Sequence, residues 1–301
     1  QDTYKVLMLG DMHLANRTAD LSQFSDFTAD LNNYRSAHPG EKMYAIALGD
    51  MTWDLYWYSN NFAIPEYLNT INKQVKDLQI FHTIGNHDCW KGHLVWAQTD
   101  KPYDATKEDD YYRFFVGPDP ENPTIAGWGV CQPSGVNDPE SPDYQACYYY
   151  KDYPGSCARL IVLDCMHYDS AQEAWFEATL SQAREAGLAV LAVTHYPAEF
   201  GMVPYDAALT PHGEDYPQAS DPDAVQVESM TDLAFRAVDK FIDEGGLFVC
   251  WLSGHNHNDY VGLVKRHERQ MQILVDKAGE LDHDMQDADR SADNTDAFNI
   301  V

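Results

Sequence analysis

Five short polar clusters in this chain combine carboxylates, an amide and imidazoles in spacings suited to holding metal ions. They are Asp11-Met12-His13, Gly49-Asp50, Gly85-Asn86-His87-Asp88, the single His195, and Gly254-His255-Asn256-His257. Side chains alternate between two sides of an extended backbone, so Asp11 and His13 face the same way, as do His255 and His257. A mixture of carboxylate and imidazole donors suits Zn, Mn, Fe or Ni better than Ca or Mg. The seven candidate ligands are Asp11, His13, Asp50, Asn86, His195, His255 and His257. They are too many for one ion and the right number for two that share a bridging carboxylate. The preceding glycines permit tight turns and close approach of the backbone to the site. Each cluster alone is weak, because a lone histidine beside an apolar strand is more often structural. The joint pattern carries the weight.

The clusters follow segments that read as buried strands, at 4–9, 43–48, 79–83, 188–193 and 247–252. Open α/β sheets place their sites at the carboxyl ends of their strands. Between the strands, apolar residues recur at helical spacing. Leu21, Phe24, Phe27, Leu31 and Tyr34 mark one helix, and Leu68, Ile71, Val75 and Leu78 a second. A further strand at 158–163 leads to Ser170 and Glu173, which fit a capping box at the start of a third helix. Met230, Leu233, Ala237 and Phe241 mark a fourth. Segments 260–264 and 271–275 read as a hairpin. Alternating strands and helices predict an α/β architecture.

Two stretches interrupt this order, about 89–150 and 199–225. A structureless loop of the first length is uncommon, so short helices and a hairpin over one rim of the core are expected there. It could shape substrate access or form a structural flap. Residues 282–296 are acidic and read as a solvated loop. Residues 297–301 read like the start of a strand, which predicts a chain cut short and a single catalytic domain over 1–301.

The 301 residues are 44% hydrophobic and 23% charged, an ordinary globular balance that supports a sizeable core. The formal net charge of −28 repels nucleic-acid backbones and anionic lipid, so general nucleic-acid binding is not expected. No run approaches the roughly 20 apolar residues of a membrane span. The start at Gln1-Asp2 and the even number of six Cys suit a secreted or periplasmic protein whose signal peptide has been removed. Cys131 and Cys147 flank a loop-like stretch and are the best disulfide candidates. Cys165 and Cys250 sit in apolar runs and read as free core thiols.

The ordered motifs D-x-H, GD, GNHD, H and GHxH resemble those of the calcineurin-like metallophosphoesterases, over about 4–257. The residues around Leu163-Asp164-Cys165 and the ending Asn299-Ile300-Val301 are similar to the secreted bacterial branch. The resemblance implies a four-layer α/β/β/α sandwich with a dinuclear site at one edge. It implies that Asp11, His13 and His257 bind one metal, that Asp50 bridges, and that Asn86, His195 and His255 bind the second. It implies that His87 acts near the leaving group and that Asp88 orients it. His13 and Trp53 stand where the purple, tyrosine-ligated branch has Gly and Tyr, which argues against an Fe(III)–tyrosinate site.

The expected reaction is hydrolysis of a phosphomonoester or phosphodiester by a metal-bridged hydroxide. The substrate is a small-molecule, lipid or nucleotide phosphate ester. The alternatives are a catalytically silent scaffold of the same fold, which would be expected to lose His87 or several ligands, and a single structural metal site. Around the motifs, Asp54 could support the site but reads better as a surface turn residue, Trp90, His93 and Trp96 could line the substrate pocket, and His167 and Tyr168 are better explained by packing. Tyr196 could touch substrate or pack under its loop. His212 and His283 read as solvated.

Overall fold

The computed structural model describes residues 4–11, 18–51, 78–85, 147–153, 155–165, 168, 170–197, 230–255, 259–264 and 267–275. The order is β1 (Tyr4–Leu9), α1 (Thr18–Ala37), β2 (Lys42–Ala47), β3 (Gln79–His82), β4 (Tyr149–Asp152), β5 (Ala158–Val162), α2 (Ser170–Glu185), β6 (Ala189–Val193), α3 (Met230–Asp243), β7 (Leu247–Ser253), β8 (Tyr260–Val264) and β9 (His267–Leu274). Strands β1-β2-β3 form one parallel sheet. The second sheet runs β4-β5-β6-β7-β9-β8, parallel from β5 through β9 with an antiparallel strand at each edge.

Continuous apolar runs explain the parallel strands, because such strands are covered on both faces. β5 is buried from Leu160 to Val162 and β2 from Tyr44 to Ala47. In α2 the buried residues Gln172, Phe176, Thr179, Leu180 and Ala183 fall on one stripe, as an amphipathic helix requires. Steps from β5 to β6 and from β6 to β7 run the same way across the sheet, so right-handed crossovers put α2 and α3 on the same face. There Phe176 of α2 and Phe235 of α3 pack on Trp251 of β7. Both helices close with a left-handed glycine, Gly187 at φ 66° and Gly245 at φ 90°. In each, two backbone bonds then cap the last turn, such as Leu188 N–H to the Ala183 carbonyl at 2.9 Å and Gly246 N–H to Phe241 at 2.8 Å.

The other face of the second sheet meets the first. Tyr153 stacks on Tyr4 and Tyr44 and meets Phe81 edge-on. The Tyr149 hydroxyl donates to the His82 carbonyl at 2.7 Å. One step along β1, Lys5 faces the other way and bonds Tyr34 of α1. The layers are therefore α1, sheet, sheet, then α2 with α3: the expected α/β/β/α sandwich.

The expected strands all form where described, with ends shifted by about a residue. The hairpin's second strand is longer than expected and starts at His267. α2 begins at Ser170 itself rather than after it. β4 is an addition to the expected strands. A hairpin is expected somewhere within 89–150, but the stretch lacks the periodicity to place it; alternation is present locally, with Tyr149 inward and Tyr150 toward Trp175 of α2. Cys165 and Cys250 are buried free thiols, as expected. Cys147 is a buried free thiol too, against the expected disulfide, while Cys131, the expected helix over 68–77, most of 89–150, all of 199–225 and residues 276–301 lie outside the described residues. Among the described residues no helix is long and apolar enough to cross a membrane.

The second sheet is locked to α3 through Trp251. Its indole N–H donates to Gln270 Oε1 at 2.7 Å, and the Gln270 amide donates to the Phe235 carbonyl at 2.8 Å. Trp251→Ala removes a fully buried ring and should cost roughly 3–5 kcal/mol of unfolding free energy in urea titration. A loss below about 1 kcal/mol would contradict this packing role.

Candidate metal centre

Gly10-Asp11 extends β1, Leu48-Gly49-Asp50 extends β2, Thr194-His195 extends β6 and Gly254-His255 extends β7. Four strand ends drawn from both sheets thus meet at one edge of the sandwich. Backbone bonds stitch them: Leu48 N–H to the Leu9 carbonyl at 2.8 Å, Thr194 N–H to Leu252 at 3.1 Å, and Gly254 N–H to His195 at 3.1 Å.

One donor atom from each of Asp50, His195 and His255 lies within 4.8 Å of the others. Asp11 joins them because the His255 backbone N–H donates to both its carboxylate oxygens, at 3.0 and 2.8 Å. Asp11, Asp50 and His195 are buried. His195 is fixed at both ring nitrogens. Nδ1–H donates to the Leu48 carbonyl at 2.8 Å, and Nε2 lies 3.1 Å from Asp50 Oδ2. The carbonyl thereby sets the tautomer and turns Nε2 toward the carboxylate, the usual arrangement for a ligating imidazole.

Among the described residues, three that are not glycine have left-handed backbones: Asp11 at φ 33°, Asp50 at φ 49° and His255 at φ 71°. All three belong to this cluster. Such conformations cost about 1–3 kcal/mol each and gather where function requires them. The motif glycines have a packing reason. A Cβ on Gly85 would run into Asp50 Oδ1, one on Gly254 into Asp11 Oδ2, and one on Gly49 into the His195 ring. Each glycine makes room for a functional side chain delivered by another strand.

The donor set fits a divalent cation. Two buried carboxylates lie at this edge, Asp50 beside the His195 imidazole and Asp11 on the His255 backbone, and buried charge is stable only when compensated. Without an ion the compensation falls on His195. Burial lowers its pKa, but the Asp50 charge and hydrogen bond, the Asp11 charge and the Leu48 carbonyl outweigh burial and raise it to about 9. A cation would replace that proton at Nε2.

Of the expected site residues, Asp11, Asp50, His195 and His255 converge. His13, Asn86, His87, Asp88 and His257 lie outside the described residues, although Gly85 brings the start of the Gly85-Asn86-His87-Asp88 motif against Asp50. Asp54, Trp90, His93, Trp96, His167, His212 and His283 also lie outside them. Tyr168 is buried, consistent with packing. Tyr196 is buried too, with its ring on His255 at 4.3 Å between centroids. Two supports are absent from the expected set: the Leu48 carbonyl, and the Cys165 thiol, 3.8 Å from the Ile84 carbonyl. The carbonyl carries no side-chain signal, and the thiol reads as ordinary core.

Metal-free protein should keep His195 protonated until about pH 9 in an imidazole-resolved NMR titration. The raised value stabilises the metal-free fold below the unfolded pKa of about 6.5 and that stabilisation fades as pH rises through about 9. Asp50→Asn should lower the midpoint, because the Asp50 charge that opposes burial is then lost. A wild-type midpoint near 6.5 would refute the pairing.

Comparison with known proteins agrees with this geometry. The family model described as calcineurin-like phosphoesterase matches residues 4–259. The chain is similar in structure to a dimetal phosphatase from Danio rerio, with TM-score 0.52 and 12% identity, covering 94% of this chain and 90% of that one. Weaker likenesses are a 5'-nucleotidase from Candida albicans, at TM-score 0.47 and 13% identity over 93% of this chain and 47% of that one, and the NAD nucleotidase of Haemophilus influenzae, at 0.43 and 12% over 92% and 45%. The chain spans less than half the length of these two nucleotidases. No curated protein sequence is similar enough to count as a relative. With the family model matched over 4–259, the chain belongs to the calcineurin-like phosphoesterases, enzymes that hydrolyse phosphoric esters with divalent metal ions.

Proposed function

We propose that the chain hydrolyses a small-molecule phosphate ester with two divalent ions held at this edge. The observation that carries the reading is the convergence of Asp50, His195 and His255 within 4.8 Å, with Asp11 beside them. Asp50 would be shared between the ions. Asn86, His195 and His255 would complete one position, and Asp11, His13 and His257 the other. When bound, the ions supply Lewis acidity that lowers the pKa of water and neutralises the ester phosphate.

The protein's own groups perform the rest. Leu48 keeps the proton on His195 Nδ1, so Nε2 is the nitrogen offered to an ion. The His255 backbone N–H holds the Asp11 carboxylate in place before any ion arrives. Such preorganisation leaves less to rearrange during reaction. His87, paired with Asp88, would donate a proton to the leaving oxygen. The −28 is a net charge of the whole chain, whereas cations at the site would act locally on an anionic substrate. Metal identity among Mn, Zn, Fe and Ni, monoester or diester preference, and a secreted or periplasmic location belong to this same reading.

Stripping metal and adding back Mn, Zn, Ni or Fe should restore hydrolysis in a panel of chromogenic monoesters and diesters, at about two ions per chain. Asp50→Asn and His255→Ala should lower metal content and activity together. His87→Ala should keep both ions and lose rate, most with poor leaving groups. One tightly held ion with no hydrolysis of any ester would overturn the reading.

Gly85→Ala removes no donor atom. Its new methyl would still displace the Asp50 carboxylate, and metal affinity should fall about 10–100-fold, the usual cost of disturbing a ligand's support. Elemental analysis after dialysis against a chelator series would measure it. Wild-type metal retention would show that the close approach is unimportant.

A further inference from the structure

We infer that Tyr149 is a positioning residue for the Gly85-Asn86-His87-Asp88 motif, acting through a hydrogen bond to the end of β3. This deepens the proposed metal centre and rests on it. The Tyr149 hydroxyl donates to the His82 carbonyl at 2.7 Å, the usual length for an O–H donor. His82 is the last residue of β3 and stands shortly before Gly85. Tyr149 belongs to β4 of the other sheet. The bond therefore ties the two sheets together beside the strand end that leads into the motif.

β3 has reason to need a tie from outside its own sheet. In the order β1-β2-β3 it is the edge strand among the described ones. The Thr83 N–H bonds the Ala47 carbonyl of β2 at 2.9 Å. Backbone groups of successive strand residues point to opposite sides, so the carbonyls of His82 and Ile84 face away from β2. A strand edge offers such groups to whatever lies beside it. Side chains of the second sheet answer here, Tyr149 at His82 and the Cys165 thiol at Ile84, 3.8 Å away. A thiol is a weak donor, so the phenol is the stronger of the two. Tyr149 is itself well fixed. It is 2% exposed, and its strand pairs with β5 with Tyr149 opposite Val162. Burial holds its phenol well above the usual pKa, so the proton it donates is retained.

The strand end held in this way bears directly on the metal centre. Gly85 lies so close to Asp50 that a Cβ there would run into Asp50 Oδ1 and its backbone nitrogen. The end of β3 is thus bounded by Asp50 on one side and by Tyr149 and Cys165 on the other. Asn86 follows Gly85 directly, so the placing of Gly85 sets where a ligand at 86 can begin. Loss of the Tyr149 hydroxyl removes the bond across the sheets, whatever else His82 touches.

Tyr149→Phe deletes that hydroxyl and keeps the ring and its packing. Calorimetric titration of metal-stripped protein with Mn would compare it with wild type, Phe176→Leu and Asp50→Asn. Phe176 packs on Trp251 in the outer layer, so its variant lowers stability without touching the site. Tyr149→Phe should weaken one of two binding events by about 10–100-fold and leave the other in place. Phe176→Leu should titrate as wild type, even where urea shows it to be the less stable of the two variants. The visible spectrum of the Co-substituted protein should change in Tyr149→Phe and not in Phe176→Leu. Wild-type titration or an unchanged spectrum in Tyr149→Phe overturns the inference. So does a Phe176→Leu variant that loses as much affinity, because stability alone would then explain the loss. If Asp50→Asn itself keeps both binding events, the metal centre fails and this inference with it. If Asp50→Asn loses metal and Tyr149→Phe does not, the centre stands and the positioning role alone falls.

Discussion

The arrangement depends on holding two buried carboxylates and their imidazoles at a seam between two sheets. Asp11 and Asp50 come from the first sheet, His195 and His255 from the second. Charge at such a seam is tolerated only with compensation. In the metal-free chain the pairing of His195 with Asp50 provides it, with the imidazole pKa raised to about 9. A cation is the stronger answer to the same electrostatic demand. That demand makes the site both a stability problem and a binding site.

Much of the surrounding architecture serves this seam. Parallel strands end together, and their last residues bond across from one strand end to the next. The chain then curls at Asp11, Asp50 and His255 into conformations that ordinary residues avoid. Local cost of this kind persists only where the surroundings over-determine it. Here the surroundings are the close-packed glycine contacts at Gly49, Gly85 and Gly254 and the aromatic and hydrogen-bonded packing beneath. The stable outer layer, with Trp251, Phe176 and Phe235 at its centre, provides the rigid base against which those strand ends are held.

Most of the fold is legible in the sequence because its signals are local. Buried strands such as Tyr4–Leu9 are short apolar runs, and α3 shows helical periodicity at Met230, Leu233, Ala237 and Phe241. β4 escapes because Tyr149–Asp152 follows a long aperiodic stretch and its tyrosines give no clear pattern. Its assignment depends on pairing with β5, which lies outside any local window. The order β7-β9-β8 likewise follows from pairing, since a hairpin reading alone does not say which strand sits inside.

By itself the sequence determined the donor types and their positions after strands, because carboxylates, imidazoles and glycines are written into it directly. It also determined the family, because the motifs occur in one order. Tertiary structure alone decided how the donors are held. The Leu48 carbonyl that fixes the His195 tautomer is main chain, present at every residue and marked by none. The Tyr196 ring meets the His255 ring only because β6 and β7 lie side by side. Residue types are local properties of the chain. Tautomer, ring orientation and charge compensation arise between atoms far apart in sequence, such as His255 and Asp11, and only folding supplies those contacts.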